Sequence, residues 1–344
     1  MAEEPKTMRF WQNRAVLITG ALGFVGSRLA WDLSKRGARV TAYDRTMDAR
    51  DDEVRSLLIR HAEAVVGNLD NLRSVDALLA QSSPEFVFHL GAQTVVGAAH
   101  QDPVQTFEAN VRGTYNLLEA CRRNRSSITG VIVASSDKAY GEATGVPLKE
   151  DSALLGRGPY DVSKSCTDLL TQSYHHHYGL PTAVLRCSNI YGDGDFNWSR
   201  IVPGTIRAFV KREAPVIRSD GSPIREYTYV GDAVDAYRVV AEKFETASLA
   251  GHAFNISSEE AVSVLELVRS IQSLMNVREV EPVIQGTAVG EIREQRLSGA
   301  KAREILDWAP RVDLRTGLEA TISWYQQYIA GPSARGRAVA GECR

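Results

Sequence analysis

The stretch AVLITGALGFVG (15–26) decides the fold. Its first five residues are apolar or β-branched without alternation, the pattern of a short strand buried on both faces. TGALGFVG (19–26) follows at once, and Gly20, Gly23 and Gly26 stand in a GxxGxxG spacing ahead of a helical pattern. Strand, glycine turn and helix in that order make a phosphate cradle. One glycine permits the turn, one lets backbone approach a pyrophosphate, and one packs the helix on the sheet, whose N-terminus offers free N–H groups. The next apolar run, RVTAY (39–43), ends on Asp44, where a carboxylate reaches ribose hydroxyls. A dinucleotide site made by Gly20, Gly23, Phe24, Val25, Gly26, Asp44 and Arg45 is therefore expected. Asp44 repels a 2′-phosphate and so favours NAD over NADP, and Arg45 beside it softens that preference.

Working outward, the runs AVV (64–66), EFVFHL (85–90), GVIVAS (130–135) and TAVLRC (182–187) alternate with helical patterns at 25–37, 104–123 and 161–179. Such alternation predicts an α/β, Rossmann-type doubly wound parallel sheet over residues 10–190. From 191 to 330 the pattern loosens. Helices are expected near 200–212, 231–245, 262–275, 299–306 and 314–329, forming a smaller C-terminal α/β lobe that carries the substrate. GPSARGRAVAGECR (331–344) has no apolar period and reads as a disordered tail. GNLD (67–70) ends the third run, and Asn68 and Leu69 either meet an adenine there or are ordinary strand-end residues.

The 344 residues carry a net charge of −2, with 44% hydrophobic and 24% charged. No basic field points to nucleic acid. The cysteines 121, 166, 187 and 343 form no CxxC pair, and consecutive His175, His176 and His177 point in different directions along a helix, so no metal site is expected. No apolar run is long enough to span a bilayer, and a cytoplasmic enzyme is expected.

PYDVSK (159–164) sets Tyr160 and Lys164 four apart, on one helix face. A nearby ammonium and a nicotinamide cation would lower the phenol's pKa and make it a base. TGALGFVG, VFHLGAQ (87–93), NVRGTYNLLEA (110–120), SSDKAYG (135–141) and PYDVSK together resemble the extended short-chain dehydrogenase/reductase family of NAD-dependent nucleotide-sugar epimerases and dehydratases, from about residue 10 to 330. The resemblance implies that Tyr160 removes the sugar O4 proton, that Ser136 bonds the same oxygen, and that Lys164 holds the nicotinamide ribose. It adds Leu90, Ala92 and Asn110 to the cofactor contacts. On the sugar side it implies Gln93, Thr94, Asn189, Arg200 and Arg225, with Arg225 clamping the diphosphate, and GEIREQRLS (290–298) offers Arg293 and Arg296, one of them for a further phosphate contact. It also implies a homodimer built on the helices at 104–123 and 161–179.

SSDKAYG discriminates within the family. Simple epimerases carry small or hydroxyl residues there, whereas dehydratases carry an acid and a partner. Asp137–Lys138 resembles the pair of the CDP-glucose 4,6-dehydratases, with Lys138 as base for the C5 proton and Asp137 as acid for the C6 hydroxyl. A 4,6-dehydratase acting on a nucleotide-diphosphate hexose is expected. The alternatives are a 4-epimerase or other retained-NAD isomerase, and a non-catalytic NAD(H) sensor.

Overall fold

The computed structural model describes residues 6–49, 52–142, 145–288 and 290–331. The reading of the tail as disordered therefore falls, after Gly331, outside the described residues. The first run forms β1 (Ala15–Thr19), every residue buried. It pairs in parallel with β2 (Arg39–Asp44) on one side and β4 (Phe86–His89) on the other. Beyond β2 lies β3 (Glu63–Val66). Beyond β4 follow β5 (Gly130–Ser136), β6 (Thr182–Cys187) and β10 (Ala253–Ile256), all parallel. The order β10-β6-β5-β4-β1-β2-β3 reverses direction between β1 and β4. Such a switch point opens a crevice beyond the carboxyl ends of the strands. β3 departs from the both-faces-buried expectation because it is the edge strand, and Val66 stands exposed.

Helices cover both faces of this sheet and pack the second lobe. They are α1 (Lys6–Trp11), α2 (Phe24–Lys35), α3 (Glu53–His61), α4 (Leu72–Ser82), α5 (Val96–Gln101), α6 (Pro103–Phe107), α7 (Gly113–Arg123), α8 (Pro159–Tyr178), α9 (Ile201–Val210), α10 (Val230–Glu242), α11 (Val264–Leu274), α12 (Ala300–Leu306) and α13 (Leu314–Ala330). The pattern at 104–123 predicts one helix, but the structure interrupts it with a π-helical turn over Glu108–Arg112. The Asn110 carbonyl there accepts from the hydroxyls of Thr114 and Thr167, which diverts it from the regular ladder.

The second lobe is a sheet of β7 (Asn189–Tyr191), β9 (Ile224–Tyr229) and β11 (Ala261–Ser263), and a strand pair of β8 (Val216–Ile217) and β12 (Val283–Ile284). Its own core draws on Val202, Phe209, Leu267, Ile271, Leu318 and Tyr325 from α9, α11 and α13. A single cut at residue 190 does not divide the chain. β10 completes the large sheet, and Val234, Tyr237 and Val240 of α10 pack in the core under β1. Those apolar positions satisfy the first core, whatever their order along the chain. The lobes are bolted by Arg28, whose guanidinium meets Asp193 at 2.9 Å and Asp52 at 3.2 Å.

Glu226 of β9 gives the fold a pH dependence. Its buried carboxyl accepts from Ser257 Oγ at 2.5 Å and Leu297 N at 2.9 Å. Burial, opposed by those two bonds, pushes its pKa up to about 7. The folded protein thus holds this proton more tightly than the unfolded chain. Its stabilisation is complete below the ordinary glutamate pKa and is lost as pH rises towards about 7. Glu226→Gln is expected to flatten the decline in unfolding free energy between about pH 5 and 8, by an amount on the order of 3 kcal/mol at the upper end. Melting curves of both proteins across that range check it.

Candidate active site

β1 and β4 end side by side, and a single cleft of about 1550 Å³ opens over them and runs into the second lobe. Gly20 has φ +69°, and a Cβ there would lie 2.7 Å from Gly91 N. At Gly23 a Cβ would lie 2.9 Å from the Gly20 carbonyl oxygen, and at Gly26 only 2.0 Å. The turn is thus closed by backbone where side chains would otherwise sit. Gly23 caps α2 without a side-chain bond, leaving the first-turn N–H groups to an anion. Asp44 accepts from Leu22 N at 2.8 Å and Arg45 N at 2.7 Å, which braces the turn and aims its carboxylate at the cleft. An uncapped helix start, a side-chain-free turn and a braced acid fit a dinucleotide. Gly26→Ala is expected to push the turn apart, costing about 1–3 kcal/mol and abolishing measurable NAD binding by calorimetric titration.

Beyond β3 the cleft is lined by Asn68 and Leu69. Leu69 is buried against the core, and its carbonyl accepts from Asn116 Nδ2 at 2.8 Å. Asn68 is exposed and bonds Asp70. Leu90, Ala92, Gln93 and Thr94 form the wall after β4. Asn110 does not line the cleft. It is buried behind that wall, where its amide accepts from Gln93 N at 2.7 Å and donates to Gln93 O and Ser163 Oγ, each at 2.9 Å. It fixes the loop that forms the wall, and both its amide hydrogens are committed there.

β5 runs out at Ser136, whose hydroxyl caps a single 3-10 turn over Asp137–Tyr140. Pro159 starts α8, and Tyr160 and Lys164 face the same cleft from its first turns. Ser136, Asp137, Lys138, Tyr160 and Lys164 therefore line one wall. Ser136 Oγ donates to Asp137 Oδ1 at 2.8 Å, and Lys138 Nζ lies 3.2 Å from Asp137 Oδ2. Desolvation lowers the Lys138 pKa; Asp137 opposes this and Arg225 adds to it. Lys164 donates to the Ala134 carbonyl at 2.8 Å, and burial brings its pKa down to about 8. The Tyr160 phenol does not show the depressed pKa expected of a base beside an ammonium. Burial pushes it up to about 12, with Arg200 pulling it down and Asp137 pushing it further up. Desolvation outweighs the lowering by Arg200 and Ser136.

Arg200 bridges the lobes, meeting Asp195 at 2.9 Å and Thr94 Oγ1 at 3.0 Å. Its charge bears on Tyr160. Asn189 lines the cleft and donates to the Glu226 carbonyl at 3.1 Å. Arg225 is buried in the cleft wall, 3.3 Å from Glu291 and bonded to the Ile292 carbonyl. Arg293 is exposed and lies outside the wall, its charge bearing on Asp220. Its neighbours Glu291 and Ile292 turn inward instead. Sequence reasoning passed over Glu291 and Gln295 in the same stretch because it searched there for cations. It also passed over Asp161, which stands inside PYDVSK and faces the cleft.

Comparison with known proteins agrees with this geometry. A CDP-glucose 4,6-dehydratase of Salmonella typhimurium is 29% identical over 339 residues, covering 94% of this chain and 93% of that protein. A dTDP-glucose 4,6-dehydratase of Xanthomonas campestris is 27% identical, covering 92% of this chain and 95% of that one. A UDP-glucose 4-epimerase of Thermotoga maritima, solved with UDP-glucose, superposes with a TM-score of 0.83 at 27% identity, covering 91% of this chain and 99% of that one. The model of the NAD dependent epimerase/dehydratase family matches residues 16–257. With that match spanning most of the chain and the glycine turn, Tyr160 and Lys164 inside it, this protein belongs to the NAD-dependent epimerase/dehydratase family.

Proposed function

We propose that the chain is a nucleotide-sugar 4,6-dehydratase, a hydro-lyase that converts CDP-glucose or a close nucleotide-diphosphate hexose to its 4-keto-6-deoxy form. The observation that carries this is the Asp137–Lys138 pair in the wall that also holds Tyr160. The bound nicotinamide supplies an acceptor for the C4 hydride and the source of the hydride delivered to C6. Gly20, Gly23, Phe24, Val25, Gly26 and Asp44 hold the dinucleotide, and Lys164 holds its inner ribose. Tyr160 takes the O4 proton while Ser136 bonds the same oxygen. The 4-keto group then acidifies C5–H, and Lys138 takes that proton. Burial lowers its pKa and so favours the neutral amine. Asp137 delivers a proton to the departing C6 hydroxyl, and Lys138 returns its own to C5. The proton taken by Tyr160 balances the one that leaves as water.

Arg225, Asn189 and Arg200 are the substrate contacts we assign in the second lobe. Arg225 suits a diphosphate because its planar fork bonds two oxygens together. The 4-epimerase reading keeps support from the Thermotoga maritima relative and requires Asp137–Lys138 to be only an ion pair. Incubation with CDP-, UDP-, GDP- and dTDP-glucose, followed by mass spectrometry, separates the two. Loss of one water supports dehydration, and an isomer of unchanged mass overturns it in favour of epimerisation. No product from any of the four points to an NAD(H) sensor.

No helix among the described residues is long and apolar enough to cross a membrane. A reducing, cytoplasmic setting is supported by the free thiols of Cys121, Cys166 and Cys187. A homodimer is supported by Val104, Tyr115, Leu169 and Tyr178, large apolar side chains exposed on α6, α7 and α8. Leu169→Glu is expected to yield a monomer with an intact fold, read by light scattering and circular dichroism.

A further inference from the structure

Gln295 lies in the second lobe, in the stretch between Glu291 and Ser298 that runs under the catalytic turn. Backbone bonds pin this stretch on both sides. Gln295 N donates to Ile224 O at 3.1 Å and Ile224 N to Arg293 O at 2.8 Å. On the other side Leu148 N donates to Arg296 O and Ser298 N to Leu148 O, each at 2.8 Å. Its side chain is 1% exposed and touches both members of the Asp–Lys pair. Nε2 donates to the Asp137 carbonyl at 2.8 Å, and Oε1 accepts from Lys138 Nζ. The amide has one orientation open to it. A backbone carbonyl has no proton to give, so the NH₂ end must face Asp137 O, and the oxygen must face the lysine.

We propose that Gln295 is a positioning residue for the elimination half of the reaction, holding Lys138 Nζ against Asp137 and over the cleft. This rests on the dehydratase reading. The chemistry asks for a neutral partner here. An amide oxygen accepts from an ammonium and, more weakly, from an amine, so Lys138 can lose and regain a proton without losing its place. A carboxylate in the same position would stabilise the ammonium and hold the base in its spent form. The charged groups facing Lys138 are Asp137 on its own turn, Asp161 on α8 and Arg225 on β9. The carboxylates draw Nζ sideways and the guanidinium repels it, so a fixed neutral acceptor is what holds its place. Gln295 enters from the substrate lobe, so the geometry of the base depends on how that lobe sits over β5.

The test compares Gln295→Met, of similar volume, with Gln295→Glu. The glutamate variant keeps an oxygen acceptor and, when protonated, a donor for Asp137 O. In single turnovers, Gln295→Met is expected to slow elimination about 100-fold while oxidation at C4, read as bound NADH, and KM stay near wild type. Gln295→Glu recovers most of the elimination rate at the acid end of the pH range. A merely structural residue would slow both steps together. Equal slowing of both steps, or undiminished elimination in the methionine variant, overturns the proposal. If the wild-type protein eliminates water from no sugar, the dehydratase reading fails separately. The Lys138 Cε signal in ¹³C-lysine NMR, identified by its loss in Lys138→Arg, then decides the contact alone. Its titration midpoint is expected to fall in Gln295→Met, and an unmoved midpoint overturns the proposal.

Discussion

Lys138→Ala is expected to leave an enzyme that oxidises its sugar and stops there. Tyr160, Ser136 and the cofactor cradle are untouched, so C4 oxidation proceeds and reduced nicotinamide accumulates in a single turnover. Elimination falls by about 10²–10⁴-fold, the usual contribution of a positioned proton acceptor. Exchange of the C5 hydrogen with deuterated solvent should fall with it, because the same group removes and returns that proton. The pair is largely buried, at 17% side-chain exposure for Lys138 and 4% for Asp137, so losing the ammonium also leaves a carboxylate short of a partner. Asp137 keeps its bond from Ser136, which limits the cost to the fold. Lys138→Met controls for the lost volume. Elimination at the wild-type rate in either variant would show that the C5 base lies elsewhere.

Tyr160→Phe should fail one step earlier. The ring still fills its buried place, so NAD binding measured by titration stays near wild type. C4 oxidation falls by about 10²–10⁴-fold, and neither reduced nicotinamide nor the 4-keto product appears. Burial holds the free phenol at about 12. A cation over the ring favours the phenolate, so binding of the oxidised cofactor moves the titration down towards working pH. The wild-type oxidation rate should therefore rise with pH, and this limb should vanish in the phenylalanine variant. Lys138→Ala with NADH and Tyr160→Phe without it separate the two half-reactions. The same pattern in both would mean that one group serves both steps.

The large sheet was legible because its strands are short, apolar and buried. β1 and β6 fall on the runs read from the chain to the residue. The helices over 53–61, 72–82 and 96–101 were not, because they are short and half or more of their residues meet solvent. Arg293 lies outside the cleft wall for a related reason. Chain position does not say which side of an irregular segment faces inward, and here Ile292 and Gln295 are buried and Glu291 pairs with Arg225 in the cleft, while Arg293 is exposed outside it.

Local chemistry determined the glycine turn, the acid at Asp44, and the presence of a phenol, an ammonium and an Asp–Lys pair. Each depends on residues a few positions apart, whose geometry the backbone alone sets. Tertiary structure decided what those groups meet. It set Arg200 against Tyr160 across more than one lobe, put Asn110 behind the wall instead of in it, and brought Gln295 to Lys138 from the far end of the chain. The reason is physical: burial and long-range partners fix a side chain's charge and aim, and neither is written in its sequence neighbours.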